Sequence, residues 1–328
     1  MKSSRRALMT LAAAVALGCS AIAIAAEDFP QRPIKLVVGF APGGPTDLAA
    51  RVLAPALSKT IGQQVFVENR AGAGGMIAAD QVAKATADGY TLMFAGDGAL
   101  TVLPHLSNST TYDVVKDFVP VRLALAQSSV LVVNADKGLT DVKAVVAAAK
   151  AKPGQLNYGS GGNSTPSHLI GALFESETGV EMTHVPYKGA GPATVDLLGG
   201  RLDIMFVGMP VAVQNASRKQ VKLLAVAGDR RSPALPDVPT FAEAGVKGLG
   251  DQTRAWWAVM APSGLPAPVL AKLADATQAA LADPETVKAY AALGIDVINE
   301  DGTTVSKAIV DGSARWGALI KSKNIKAE

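Results

Sequence analysis

Two glycine-rich segments stand where a small anion could be held by backbone alone. The first is Phe40-Ala41-Pro42-Gly43-Gly44-Pro45-Thr46-Asp47, between an apolar run and a helical pattern. Gly43 and Gly44 carry no Cβ, so main chain can approach a ligand closely there. Thr46 is placed to cap the helix, and free N–H groups at a helix start suit a carboxylate or a phosphate. The second segment is Tyr158-Gly159-Ser160-Gly161-Gly162-Asn163-Ser164-Thr165-Pro166, again between strand and helix patterns. Thr165 followed by Pro166 is a strong helix start. Ser160, Asn163 and Ser164 add hydroxyl and amide groups. A third strand end, Ala95-Gly96-Asp97-Gly98, can reach the same place. Asp97 there either favours a ligand amine or hydroxyl, or caps a turn.

Either loop alone reads equally well as an ordinary turn between strand and helix. The pairing, one loop in each of two α/β units, tilts the reading towards binding. Ligands in such sheets sit beyond the carboxyl ends of the strands.

The elements that must position these loops alternate along the chain. Ile34 to Phe40 reads as a buried strand, and Leu48, Val52, Leu53, Ala56 and Leu57 mark one face of a helix. Val65 to Glu68 and Tyr90 to Phe94 are strands, with a helix over Ile77 to Ala85 between them. A second series places strands at Val130–Val133, Leu156–Tyr158, Thr183–Val185, Ile204–Val207 and Leu223–Val226. Helices over Asp141–Lys150, Ser167–Thr178 and Pro192–Leu198 separate them. Strand–helix–strand order at this spacing implies right-handed crossovers and mostly parallel sheets flanked by helices. The proline-rich Arg230–Pro239 reads as a return crossing, after which Trp256–Met260 is a strand and Pro268–Leu281 and Pro284–Leu293 are helices. The division expected is 27–126 plus 228–328 for one lobe and 127–227 for the other.

Enzyme chemistry finds little support. The sequence has no G-x-S-x-G elbow and no G-x-x-x-x-G-K-[ST] loop. Ser160 with His168 lacks an evident orienting acid. Three scattered histidines (His105, His168 and His184) and the single Cys19 argue against a zinc site, and no cofactor or metal is expected. Glu68-Asn69-Arg70 is read as a structural turn, and Tyr187, Lys188 and Asp203 as framework. Trp256 and Trp257 fall near the lobe boundary, where they could report closure.

The N-terminus reads as targeting. Lys2, Arg5 and Arg6 precede an apolar stretch from Ala7 to Leu17, and Ala23-Ile24-Ala25-Ala26 is a small-residue cleavage region before Glu27. Residues 1–26 are therefore expected to be a signal peptide. Ala16-Leu17-Gly18-Cys19 is a loose lipobox, but the residues after Cys19 stay apolar, so lipidation is the minority reading. Setting aside three of the 31 basic residues and none of the 28 acids removes the net charge of +3. No nucleic-acid footprint then remains.

Further segments carry a specific resemblance. They are Pro33-Ile34-Lys35, Val67-Glu68-Asn69-Arg70-Ala71-Gly72-Ala73-Gly74-Gly75, Asp88-Gly89-Tyr90-Thr91-Leu92 and Val185-Pro186-Tyr187-Lys188-Gly189. Leu198-Gly199-Gly200-Arg201-Leu202-Asp203 and Leu235-Pro236-Asp237-Val238-Pro239-Thr240 complete the series with the two loops. In this order, over nearly the whole chain after residue 27, they resemble the Bug family of periplasmic receptors of tripartite tricarboxylate transporters. The resemblance implies a two-lobed periplasmic binding protein fold that closes like a flytrap on a small organic carboxylate. It implies that the protein hands its ligand to membrane components of a transporter; a monomer is expected. Carried over by position, Ala41, Gly43, Gly44 and Asp47 of the first loop and Ser160, Asn163 and Ser164 of the second would hold the ligand. Phe40, Asp97, Gly161, Thr165 and His168 complete the candidate set. Presentation to a signalling receptor and a hydrolase built on Ser160 are the rival readings.

Overall fold

In the computed structural model, residues 29–106, 110–163, 165–250, 253–323 and 325 are described. The expected signal peptide, Cys19 and Ser164 lie outside them. Two mixed sheets flanked by helices make up the two lobes. β1 (Ile34–Val38) lies inside its sheet, and its successive Leu36, Val37 and Val38 are fully buried, an apolar run with both faces covered. It pairs in parallel with β2 (Val65–Asn69) and β3 (Thr91–Gly96). The six-stranded sheet continues through β10 (Ala255–Pro262), β4 (Phe118–Gln127) and β11 (Ile295–Asp301), in the order β11-β4-β10-β3-β1-β2. The five-stranded sheet runs β7 (Thr183–Pro186), β6 (Asn157–Ser160), β8 (Ile204–Gly208), β5 (Ser129–Asn134), β9 (Val221–Val226).

The parallel pairing expected from sequence holds where helices join neighbouring strands, in β1–β3 and in β6–β8. The remaining pairs, made by β4, β5, β9, β10 and β11, are antiparallel. These strands carry the chain between or around the sheets, so their direction is set by where the chain re-enters. β4 leaves the six-stranded sheet at Gln127 and β5 opens the other at Ser129, with only Ser128 between. β10 returns between β3 and β4.

Helix Pro45–Ile61 shows how local sequence fixes an element. Proline occupies the first turn, where its missing N–H costs nothing. Gly62 ends the helix in the left-handed region, φ 79°, with its N–H on the Ser58 carbonyl. Leu53 and Leu57 turn into a core shared with Leu273 and Leu281 of helix Ala267–Ala282. Phe174, Phe206 and Phe241 centre the core of the other lobe. No helix among the described residues is long and apolar enough to cross a membrane.

Candidate functional site

A cavity lies between the sheets, with about 660 Å³ of empty space when its open mouth is included. Phe40, Gly44, Thr46, Asp97, Gln127 and Trp257 line it from one side. Ser129, Gly161, Thr165, Ser167, Ala190 and Phe206 line it from the other. Among the helices that begin on this wall are Pro45–Ile61, Pro166–Thr178 and Ala190–Leu198. None of the three starts is capped by a side-chain hydrogen bond. Uncapped N–H groups and aligned peptide dipoles give each such end partial positive charge. Among the described residues, those lining the cavity include no lysine, arginine or histidine, and Asp97 is the one acidic side chain. An anion held here is held by main chain and hydroxyl groups.

The first loop is braced from behind. Gly43, at φ 85°, donates its N–H to Asp47 Oδ2 at 2.9 Å, and Arg51 Nε donates to the same oxygen at 2.9 Å. Asn69 Nδ2 donates to Asp47 Oδ1 and to the Phe40 carbonyl, both at 2.9 Å. Burial pushes the Asp47 carboxyl up, but bonds from Arg51, Gly43 and Asn69 outweigh it and hold the group below its ordinary value. Both oxygens thus serve the loop, and Asp47 shapes the wall without standing on it.

The second loop is locked in a comparable way. Ser160 is fully buried, its Oγ 2.6 Å from His184 Nε2 and accepting the Gly162 N–H at 3.1 Å. Thr165 Oγ1 donates to the Gly162 carbonyl at 2.6 Å, and Gly161 N–H to Ser167 Oγ at 3.1 Å. His184 stacks on His168 with centroids 4.0 Å apart and planes 2° apart. Burial lowers His168 to about 4. Burial, then the neighbouring His168, lowers His184 to about 3. The pair is a neutral, packed prop under the loop, and fully buried Ser160 is no exposed nucleophile.

The loops of the two lobes touch. Ala41 N–H donates to the Lys188 carbonyl at 3.3 Å. A Cβ on Gly191 would meet the Pro42 carbonyl oxygen at 2.8 Å, and one on Gly189 would meet Ala41 at 3.3 Å. The lobes are therefore drawn together around the cavity.

Of the expected residues, Phe40, Gly44, Asp97, Gly161 and Thr165 share the cavity wall. Ala41 and Gly43 belong to the contact between lobes or its brace, and Ser160 and His168 pack beneath the second loop. Asn163 is off the wall, its buried Oδ1 without a hydrogen-bond partner. Ser164 lies outside the described residues. Asp97 is 3% exposed, and its Oδ1 accepts the Gly98 N–H at 3.0 Å, so it both caps a turn and faces the cavity. Burial pushes it up to about 7, against the Gly98 bond and the charge of Arg315. Sequence reasoning missed Gln127, Phe206 and Ala190, and placed Trp257 at the boundary without a partner. Trp257 Nε1 donates to Thr46 Oγ1 at 3.0 Å, fastening a strand of the return segment to the first loop. Among the described residues no group of three or more metal-ligating side chains occurs.

Comparison with known proteins identifies relatives of the same fold. The profile of the family described as "Tripartite tricarboxylate transporter family receptor" matches residues 49–325. Protein BugT of Bordetella pertussis is 36% identical over 322 residues, covering 98% of each chain. The solved structure of periplasmic binding protein BugD is similar with a TM-score of 0.87 at 33% identity, covering 92% of this chain and all of that one. Rpa4515 of R. palustris, solved with adipate, gives a TM-score of 0.88 at 33% identity over 91% of this chain and 99% of its own.

Proposed function

The chain belongs to the tripartite tricarboxylate transporter receptor family, and from that premise we propose that it captures a small organic carboxylate between its lobes and delivers it to the membrane components of such a transporter. Receptors of this family are binding proteins, and the reading needs no catalytic step. In it, residues 27–126 with 228–328 form one lobe and 127–227 the other. Residues 1–26 direct export to the periplasm and are removed.

One observation carries the ligand class: three uncapped helix starts meet on a wall without a basic side chain. Hydrogen bonds to a charged group contribute about 1.5–3 kcal/mol each, so a few aligned amides anchor a carboxylate. The adipate in the R. palustris neighbour supports a carboxylate here. A ligand that touches Gly44 and Thr46 on one lobe and Gly161 and Ser167 on the other binds the closed form better than the open one. That difference in affinity is what drives closure.

The test is a thermal-shift screen of refolded protein against small carboxylates and their primary amides. A ligand at 100 times its dissociation constant adds about 2.7 kcal/mol of stability. Acids are expected to raise the melting point and their amides not. Equal shifts from both, or no shift from any acid, would overturn the carboxylate anchor.

A further inference from the structure

We propose that Asp97 and Gln127 form a second, donor-reading end of the cavity, and that the ligand is a carboxylic acid carrying a cationic nitrogen at its far end. The inference rests on the carboxylate reading above and narrows it to zwitterions.

The first argument is charge. The helix starts supply a place for one carboxylate. A second carboxylate would find no lysine or arginine on the wall, and would meet Asp97. An ammonium or protonated ring nitrogen meets an acid instead. Arg315, on helix Gly302–Lys323, is the cation whose charge reaches Asp97, but it is not a lining residue. A ligand cation would supply the counter-charge that the cavity lacks.

The second argument is hydrogen bonding. Gln127 is 5% exposed, stands on the cavity wall, and its buried Oε1 has no partner. A buried amide left unpaired is costly, and such a group in a binding cavity points to a bond that the ligand completes. Its position is fixed by close packing on Gly208, where any Cβ would stand 2.5 Å from Oε1. Sheet register puts Gln127 beside Ala255, and Gly96, which precedes Asp97, beside Trp257. The two acceptors therefore flank the start of β10 on the cavity wall. Burial favours protonated Asp97 near neutrality in the empty cavity, and a ligand cation stabilises the ionised form. Phe40, Phe206 and Trp257 complete an aromatic lining, a setting in which a cationic nitrogen gains from ring faces.

The test uses probes of matched length on the purified full chain: 5-aminopentanoate, hexanoate and adipate, titrated by calorimetry at pH 7.5. A rigid pair, 4-(aminomethyl)benzoate and 4-ethylbenzoate, covers the aromatic case. The zwitterion of each set is expected to bind at least 10-fold more tightly than the monoanion with an apolar far end or the dianion. Asp97→Asn is expected to collapse that preference towards unity, and Gln127→Leu to reduce it. The wild-type ratios decide the matter even where a variant fails to fold. If hexanoate or adipate binds as tightly as 5-aminopentanoate, the zwitterion proposal is overturned while the carboxylate reading stands. If no carboxylate binds, both fall together.

Discussion

Replacing Asp97 by asparagine should stabilise the ligand-free protein, and do so more at pH 8 than at pH 5. The carboxyl moves from an ordinary 3.8 to about 7 on folding, first because burial penalises its charge, with the Gly98 N–H and Arg315 opposing. The sign follows from proton counting. Between those two values the folded chain holds a proton that the unfolded chain has released. Stability therefore falls as pH rises through this window, and the deficit is complete above about 7. A tenfold difference in proton affinity between the folded and unfolded chain corresponds to about 1.36 kcal/mol, so the deficit is roughly 4 kcal/mol at pH 8 and under about 2 kcal/mol at pH 5. Asparagine fills nearly the same space and does not ionise. For a chain of this size about 2 °C accompanies each kcal/mol, so the variant should melt up to about 8 °C higher at pH 8. Thermal unfolding of both proteins, refolded to strip bound ligand, measures the gap at each pH, and other titrating groups cancel in the comparison. A gap of equal size at pH 5 and pH 8 refutes the reasoning. Under the proposed binding role, a destabilising acid on the cavity wall would trade stability for function, as perturbed groups in clefts commonly do.

Three further outcomes follow from particular contacts. Asp47→Ala removes the acceptor for Gly43, Arg51 and Asn69, and should cost about 2–3 kcal/mol in urea unfolding and weaken ligand binding. Because those bonds hold Asp47 below 3.8, its contribution is present above that value, and the deficit of the variant should shrink as pH falls through the lowered range. Gly191→Ala sets a Cβ against the Pro42 carbonyl oxygen at 2.8 Å; about 10-fold weaker binding, or 1.4 kcal/mol, is expected with the unliganded melting point nearly unchanged. Small-angle scattering should then show a larger radius of gyration at equal ligand concentration. Ligand should change the emission of Trp257, which lines the cavity and bonds Thr46; Trp257→Phe should abolish most of that change and Trp256→Phe should leave it.

What the sequence made legible was local. Gly44-Pro45 and Gly161 with Thr165-Pro166 obey rules of turns and helix starts that act within a few residues, and they meet on the cavity wall. Asp97 was legible as an acid that either meets a ligand or caps a turn; it caps a turn and lines the cavity. The failures are tertiary. Asp47 resembles a ligand group in the loop motif, but one of its partners, Asn69, is 22 residues away, and only folding brings that amide to it. Trp257 reaches Thr46 across 211 residues. Strand β4 includes Pro120 and Arg122, which blur its apolar pattern. Arg122 Nε is satisfied by Asn299 Oδ1 at 2.6 Å on β11, an element that sequence reading also passed over.

This division bears on how such a receptor acquires its specificity. In the proposed function, an anchor made of helix starts would recognise a carboxylate through groups every residue possesses, so the glycine-rich loops would name the charge of the ligand and little else. Discrimination must then come from side chains on the rest of the wall, and these come from distant parts of the chain: Phe40 and Asp97 from the first strands and their loops, Gln127 from the last residue of β4, Phe206 from the five-stranded sheet, and Trp257 from the returning strand. A site that requires a bond to a polar ligand group rejects analogues lacking it far more strongly than an apolar pocket rejects a missing methylene. By that reasoning, exchanging residues at Asp97 and Gln127 should alter which acid binds, whereas changes in the two loops should alter how tightly any acid binds.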